Sequence, residues 1–289
     1  MVTDRLYDTV TMNIGIVGLG LIGGSLGLDL RAFGHQVFGV SRHPETCQRA
    51  IERGVVDEAS VNLALLAAAD VIFVCTPIAA IASTVRQLIP YLSPDTVITD
   101  VGSVKTAVVE QVAPLWHNFV GGHPMAGTAY SGIEAARSGL FADNPYVLTP
   151  IETTPRASLK IVEELVRSLT SRIYFCRPED HDKAVAWISH LPVMVSASLI
   201  EACTSEADST VLELAQQLAS SGFRDTSRVG GGNPELGVMM ARYNRACLLR
   251  SLVSYRHSLD QIIELIERED WQGLETILHS TQLERSGFQ

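Results

Sequence analysis

From Asn13 onward the chain alternates short β-branched runs with longer segments whose apolar residues recur every three or four positions. Asn13–Val17 predicts a strand, and the turn Gly18-Leu19-Gly20-Leu21-Ile22-Gly23 follows at once. Apolar spacing through Leu30 predicts a helix that Gly34 stops, and Gln36–Val40 predicts a second strand. That is one βαβ unit. The alternation continues with helices over 44–53, 78–89 and 104–113, strands over 71–75 and 96–100, and a strand end over 119–121. Two further strands, 145–149 and 172–176, flank a helix over 155–170. Such alternation predicts an α/β fold with a doubly wound, mostly parallel sheet covered on both faces.

After Pro178 the strand signal stops. Helices are predicted over 181–203, 209–220, 235–267 and 270–283, the third with apolar residues at 248, 252, 255, 259, 262, 263 and 266. The expected division is therefore 12–176 for the sheet domain and 177–289 for an all-helical domain, with no internal repeat. Broad apolar helix faces of this kind are often covered by a second copy of the chain, so a homodimer is expected. Residues 1–11 carry Asp4, Arg5 and Asp8 and no apolar signal core, and are expected to be a short disordered leader.

Composition narrows the function classes. With 46% hydrophobic residues the 289-residue chain has ample core, which excludes intrinsic disorder. Its 22 basic and 32 acidic residues give a net charge of −10, which counts against a nucleic-acid surface or a polybasic membrane anchor. The five cysteines contain no C-x-x-C pair and are odd in number, as in a reduced, cytoplasmic protein. The longest apolar stretch, Val71 to Ala82, is cut by Thr76-Pro77 and is too short to span a bilayer. The histidines outside the His123 loop show no helical pairing, so no metal site is expected.

The glycine turn is where the chemistry begins. Gly18 permits the tight turn, Gly20 lets the backbone approach a pyrophosphate, and Gly23 lets helix pack on strand, while Leu21 and Ile22 open the helix whose N–H groups face the anion. Following a strand and opening a helix, this spacing predicts a dinucleotide site. The end of the second strand selects the dinucleotide. In place of the carboxylate that binds ribose hydroxyls, the chain has Ser41-Arg42, a hydroxyl and a guanidinium suited to a 2′-phosphate, so the expected cofactor is NADP. Thr76-Pro77, after the strand 71–75, is expected beside the nicotinamide half. Ser103 follows the strand 96–100 and either caps the next helix or presents its hydroxyl to a substrate. His123, between glycines and a proline, reads as a constrained-loop residue that is either catalytic or bonded to backbone. Arg224 and Arg228 flank Asp225 before the loop 230–234; they are either a solvated turn or a clamp for a small acidic substrate.

Taken together these segments resemble the prephenate/arogenate dehydrogenase family over nearly the whole span from Met12 to Leu283. The resemblance rests on the glycine turn, Val74-Cys75-Thr76-Pro77, Asp100-Val101-Gly102-Ser103-Val104-Lys105, Gly122-His123-Pro124-Met125-Ala126-Gly127, His181-Asp182, Ser189-His190-Leu191-Pro192 and 222–228. It implies a Rossmann domain, a helical dimerisation domain, and a substrate held between them. It also implies oxidative decarboxylation of a cyclohexadienyl compound, with the C4 hydride passing to nicotinamide as CO2 leaves and the ring aromatises. Carried over by position, His123 is the base for the C4 hydroxyl, and its neutral imidazole implies activity that falls below about pH 6–7. Ser103 bonds the same hydroxyl, Arg228 binds the ring carboxylate, Thr128 borders the substrate, and Asp225 orients the arginine loop or receives it in an ion pair.

One position departs from the family pattern. Prephenate-using relatives commonly carry a further histidine directly after Ser-His-Leu-Pro, where this chain has Val193. Losing that donor favours a substrate whose side chain brings its own, the amino acid arogenate, so the expected reaction is NADP-dependent conversion of arogenate to tyrosine. Rival expectations are a prephenate or dual-substrate enzyme, a β-hydroxyacid dehydrogenase and a non-catalytic dinucleotide-binding protein. The second relies on a lysine in its helical domain, and here no lysine follows Lys183. The third has no use for both His123 and Arg228. His181 beside Asp182 is expected to cap a helix start.

Overall fold

The computed structural model describes residues 11–128 and 130–288; the expected leader lies outside them apart from Thr11. β1 (Asn13–Val17) leads through the glycine turn into α1 (Leu21–Ala32), which Gly34 ends in the left-handed region at φ 88°. There follow β2 (Gln36–Val40), α2 (Pro44–Glu52), β3 (Glu58–Ser60), β4 (Val71–Val74), α3 (Ile78–Leu88), β5 (Val97–Asp100), α4 (Thr106–Val112) and β6 (Phe119–Pro124). The sheet closes with β7 (Pro145–Thr149), α5 (Arg156–Ser168) and β8 (Arg172–Phe175), and α6 (Pro178–Val185) comes next. The remaining helices are α7 (Leu191–Thr204), α8 (Ser209–Leu218), α9 (Ser221–Ser227), α10 (Pro234–Tyr243), α11 (Arg245–Glu267) and α12 (Trp271–Glu284).

The eight strands form one sheet in the order β3-β2-β1-β4-β5-β6-β7-β8, parallel throughout except where β6 meets β7. Crossovers run outward in both directions from β1 and β4, which makes the gap between their carboxyl ends the place where ligands bind in such sheets. One face packs Ile14, Ile16, Phe73 and Leu148 under Leu26 and Leu30 of α1 and Val162 and Leu165 of α5. The opposite face packs Ile72, Val74 and Ile98 under Ile81 and Val85 of α3 and Val108 and Val112 of α4. Each fully buried branched side chain contributes about 1.5–3 kcal/mol.

Four details differ from the expectations. β3 is three residues long and has no β-branched alternation to announce it. The strand expected over 119–121 extends to Pro124, so His123 lies on a strand and not on a loop. Its glycines hide the strand from any propensity argument, yet packing requires them: a Cβ on Gly122 would lie 2.7 Å from the Asp100 carbonyl, and one on Gly121 2.4 Å from the Thr149 hydroxyl. The helix expected over 181–203 runs from Pro178 to Thr204 and widens to a π-helix over Ala186–His190. Pro192, with no N–H to donate and a ring that crowds the preceding turn, accounts for the widening. The helix expected over 235–267 breaks at Asn244, which separates α10 from α11.

By packing, the chain forms two compact units. One extends to Val185 and includes Gly232–Asn244; the other comprises Ala186–Gly231 and Arg245–Gln289. α10 thus belongs to the sheet unit, where Met240 is buried. Among the described residues, the helical run Pro178–Thr204 is long and apolar enough to cross a membrane. It holds His181, Asp182 and His190, all buried within the protein.

His35 gives the sheet unit a pH dependence. It is buried, its Nδ1 accepts the Met12 N–H at 3.2 Å, and burial lowers its pKa from the ordinary 6.5. The unfolded chain therefore binds this proton more readily, so the contribution is complete above about pH 6.5 and is lost as pH falls through the folded value. Urea unfolding of the wild type should show stability declining in acid, and His35→Gln should show a shallower decline. Parallel curves for the two proteins would remove His35 from the acid response.

Candidate active site

The glycine turn has the form a pyrophosphate requires. Gly18 sits at φ 102°, and a Cβ there would lie 2.5 Å from the Cys75 carbonyl. A Cβ on Gly23 would lie 2.0 Å from the Gly18 carbonyl, so strand and helix could not approach with any side chain there. Gly20, the N-cap of α1, meets nothing within 4 Å. Two glycines are thus demanded by packing, and the third leaves open space before the first N–H groups of α1, at Leu21 and Ile22. These features fit a dinucleotide. Around the same sheet end, Thr76 Oγ1 and Ser103 Oγ are buried without a hydrogen-bond partner among the described residues, which fits hydroxyls that meet a ligand. α4 begins at Thr106 with Lys105 at its N-cap position, so Ser103 is not its N-cap. At the end of β2, the Ser41 hydroxyl accepts the His43 N–H at 3.3 Å, and Arg42 is exposed with no ion pair among the described residues. Pro77 precedes α3 directly.

His123 is 8% exposed on β6, whose neighbour β7 sets its register opposite Val147. Its Nδ1 lies 2.8 Å from Nε2 of His181, the rings crossing at 73°. His181 Nδ1 lies 2.8 Å from Oδ1 of Asp182. Asp182 also accepts the backbone N–H groups of Lys105 and Thr106 at 2.7 and 2.9 Å, and so caps α4 from a distance in sequence. Burial pushes the Asp182 carboxyl up, but the hydrogen bonds from His181, Lys105 and Thr106 outweigh it and hold it below the usual carboxylate value.

The proton positions follow. An ionised carboxylate only accepts, so His181 carries a proton on Nδ1, and when its ring bears no second proton it presents a lone pair on Nε2. His123 must then donate from Nδ1, which puts its own lone pair on Nε2. In that state a carboxylate selects the tautomer of a histidine two links away. Such a chain of groups can orient a general base, with the charge of Asp182 placed to stabilise an imidazolium. His181-Asp182 is therefore not the cap of its own helix, which starts at Pro178. Sequence spacing offered no cue, since 58 residues separate the two histidines.

Thr128 is half-buried, and its hydroxyl is engaged in a local turn with the Tyr130 backbone at 3.1 Å in both directions. In the helical unit, Arg228 closes α9 and is exposed, as is Asp225, and no ion pair joins them. The segment is held at two points against α7. Ser196 Oγ donates to the Thr226 carbonyl, and Gly230 packs so closely that a Cβ would lie 2.4 Å from the Ala197 nitrogen. Val193 lies one turn before Ser196 on α7, so the two positions singled out in this unit are carried by elements that pack on each other.

Two family models cover the chain: the nucleotide-binding domain of prephenate dehydrogenase matches residues 26–175, and its dimerization domain matches residues 177–280. The chain belongs to the prephenate dehydrogenase family. It is 56% identical to Synechocystis arogenate dehydrogenase, whose crystal structure it matches with a TM-score of 0.86 over 96% of this chain and 100% of that one. It is 30% identical to the prephenate dehydrogenase of Bacillus subtilis over 94% of this chain and 73% of the relative. The prephenate dehydrogenase of Aquifex aeolicus in complex with hydroxyphenyl propionate and NAD+ is 28% identical, with a TM-score of 0.92 over 98% of this chain and 100% of that one.

Family membership makes the chain an oxidoreductase of the prephenate/arogenate type that uses a nicotinamide dinucleotide, in aromatic amino-acid biosynthesis. The dimerization domain supports a homodimer and accounts for apolar side chains left exposed on the helical unit, among them Leu214, Leu218, Val253, Ile263 and Leu278.

His181→Phe keeps a ring of similar size and removes both hydrogen bonds. Dehydrogenase turnover should fall at least about tenfold while dinucleotide affinity stays unchanged. Steady-state kinetics beside a dinucleotide titration separates the two effects, and unchanged turnover would show that the relay does not serve the reaction.

Proposed function

We propose that the protein oxidatively decarboxylates L-arogenate to L-tyrosine and CO2 with NADP, as a cytoplasmic homodimer in tyrosine biosynthesis. The observation that carries the chemistry is the Asp182–His181–His123 chain, which links a buried histidine to a carboxylate through a second histidine. Gly18, Gly20, Leu21, Ile22 and Gly23 would hold the pyrophosphate, and Thr76 and Pro77 would border the nicotinamide. When bound, the nicotinamide supplies the acceptor for the C4 hydride. His123 Nε2 receives the proton of the C4 hydroxyl, and the charge that develops on its ring is met through His181 by Asp182. Ser103 Oγ bonds the same hydroxyl and holds it in line. Arg228 binds the ring carboxylate as a charge-assisted pair. Thr128, its hydroxyl already engaged, lines the substrate, and Asp225 orients the arginine segment.

Three features support the finer choices. Val193 provides no donor where relatives that use a keto acid commonly have a histidine, so the substrate's own ammonium fits better. The 56% identity to a protein described as an arogenate dehydrogenase points the same way. Ser41 and the exposed Arg42, which has no ion pair among the described residues, suit a 2′-phosphate at the end of β2.

Purified protein should reduce NADP with arogenate faster than with prephenate, and faster than it reduces NAD. Comparable rates with prephenate would show that Val193 does not exclude a keto acid, and no reduction with either substrate would defeat the proposal. In the same assay, His123→Asn should lose about 10²–10⁴-fold in kcat while still binding the dinucleotide. Arg42→Ala should raise the KM for NADP about 10- to 100-fold, the worth of a hydrogen bond to a charged group, and leave that for NAD nearly unchanged. A proportional change for both cofactors would place Arg42 outside the 2′-phosphate site.

A further inference from the structure

The buried pair Asp100 and Lys105 has no part in the reaction as described so far. Both side chains are fully buried, and the Lys105 ammonium donates to Asp100 Oδ2. Two ions out of water are held at a cost that an apolar pair of the same size would avoid, so their retention calls for an account beyond stability.

Their hydrogen bonds supply one. The parallel ladder between β5 and β6 pairs Ile98 with Phe119 and Thr99 with Val120, and ends there. Beyond it, side chains take over. Asp100 Oδ1 accepts the Gly122 N–H at 3.1 Å, and Lys105 Nζ donates to the Gly122 carbonyl at 2.8 Å. That carbonyl belongs to the peptide bond whose nitrogen is that of His123. On the other side, β7 holds the same residues by backbone pairing, Gly122 opposite Leu148 and His123 opposite Val147. Asp100 Oδ2 accepts the Gly102 N–H at 2.8 Å as well, shaping the loop that carries Ser103. Lys105 meanwhile donates its own backbone N–H to Asp182. One residue therefore grips the relay at both ends: through its backbone at the carboxylate, and through its side chain at the peptide that bears the base.

We propose that Lys105, with Asp100, is a positioning device that fixes the separation of His123 from His181 and thereby the tautomer of the base. The proposal deepens the reading of His123 as the base and rests on it.

Lys105→Met alone strands a buried carboxylate and is expected to fold poorly. The decisive variant is Asp100→Asn/Lys105→Met, which removes both charges at nearly constant volume. Its stability should match or exceed that of the wild type, and its dinucleotide Kd should stay within about twofold. Its kcat, normalised to dinucleotide-binding sites, should fall about 10- to 100-fold, the scale of a reacting group displaced by about 1 Å. In 15N-labelled protein, the His123 imidazole resonances should move from one tautomer toward a mixture. Wild-type kcat per site would overturn the proposal, as would reduced kcat with unchanged His123 resonances. The His123→Asn protein separates the two claims: if it turns over normally, the assignment of the base fails, and the imidazole resonances of the double variant still decide whether the pair positions the ring.

Discussion

A carboxylate sealed from water must be surrounded by donors, and where those donors lie determines what else is fixed. Asp182 draws on the first N–H groups of α4 and on the imidazole of His181, while its own backbone carbonyl accepts Asn244 Nδ2 at 2.7 Å. Three stretches distant in sequence, at 105, 182 and 244, are thereby brought to one point. Every choice along the chain of histidines descends from that satisfied charge. The same bonds that keep Asp182 ionised in a dry site also hold the ring of His181 against that of His123. Stability and reactivity here rest on one set of contacts.

The sheet explains why the relay can form. His123 must stand on a strand that approaches β5 closely enough for Asp100 and Lys105 to reach its backbone, and Gly121 and Gly122 permit that approach. Gly18 and Gly23 do the equivalent at the glycine turn, bringing α1 down on the ends of β1 and β4. In both places a missing side chain creates the room, and the neighbouring polar groups use it.

Legibility in the sequence followed the range of the interactions. The βαβ alternation, the glycine turn and the helical second half are local patterns, and the structure has them. Where a local rule competes with packing, the sequence misleads: the glycines of 119–124 argue against a strand, and only contact with Asp100 and Thr149 shows why they are there. Pro192 within an apolar helical run signals an irregularity but not its kind, and Asn244 gives no sign of ending α10. The relay was the least visible. His181-Asp182 reads as a helix start because neighbouring residues are all that a local rule sees. Their partners lie 58 and 77 residues away, across elements whose arrangement must be known first.

The residues proposed to choose the ligands differ physically from those proposed to do the chemistry. Arg42, Asp225 and Arg228 are exposed and joined to few neighbours, whereas His123, His181, Asp182, Asp100 and Lys105 are buried and share hydrogen bonds in sequence. Contributions from separated, exposed groups add, and those from one buried network do not. Arg42 and Val193 stand apart from those hydrogen bonds, so exchange of either side chain leaves the network untouched. Exchange anywhere in the network alters a tautomer, a helix cap and a strand end together. Freedom thus lies where contacts are independent, and rigidity where one buried network joins them all.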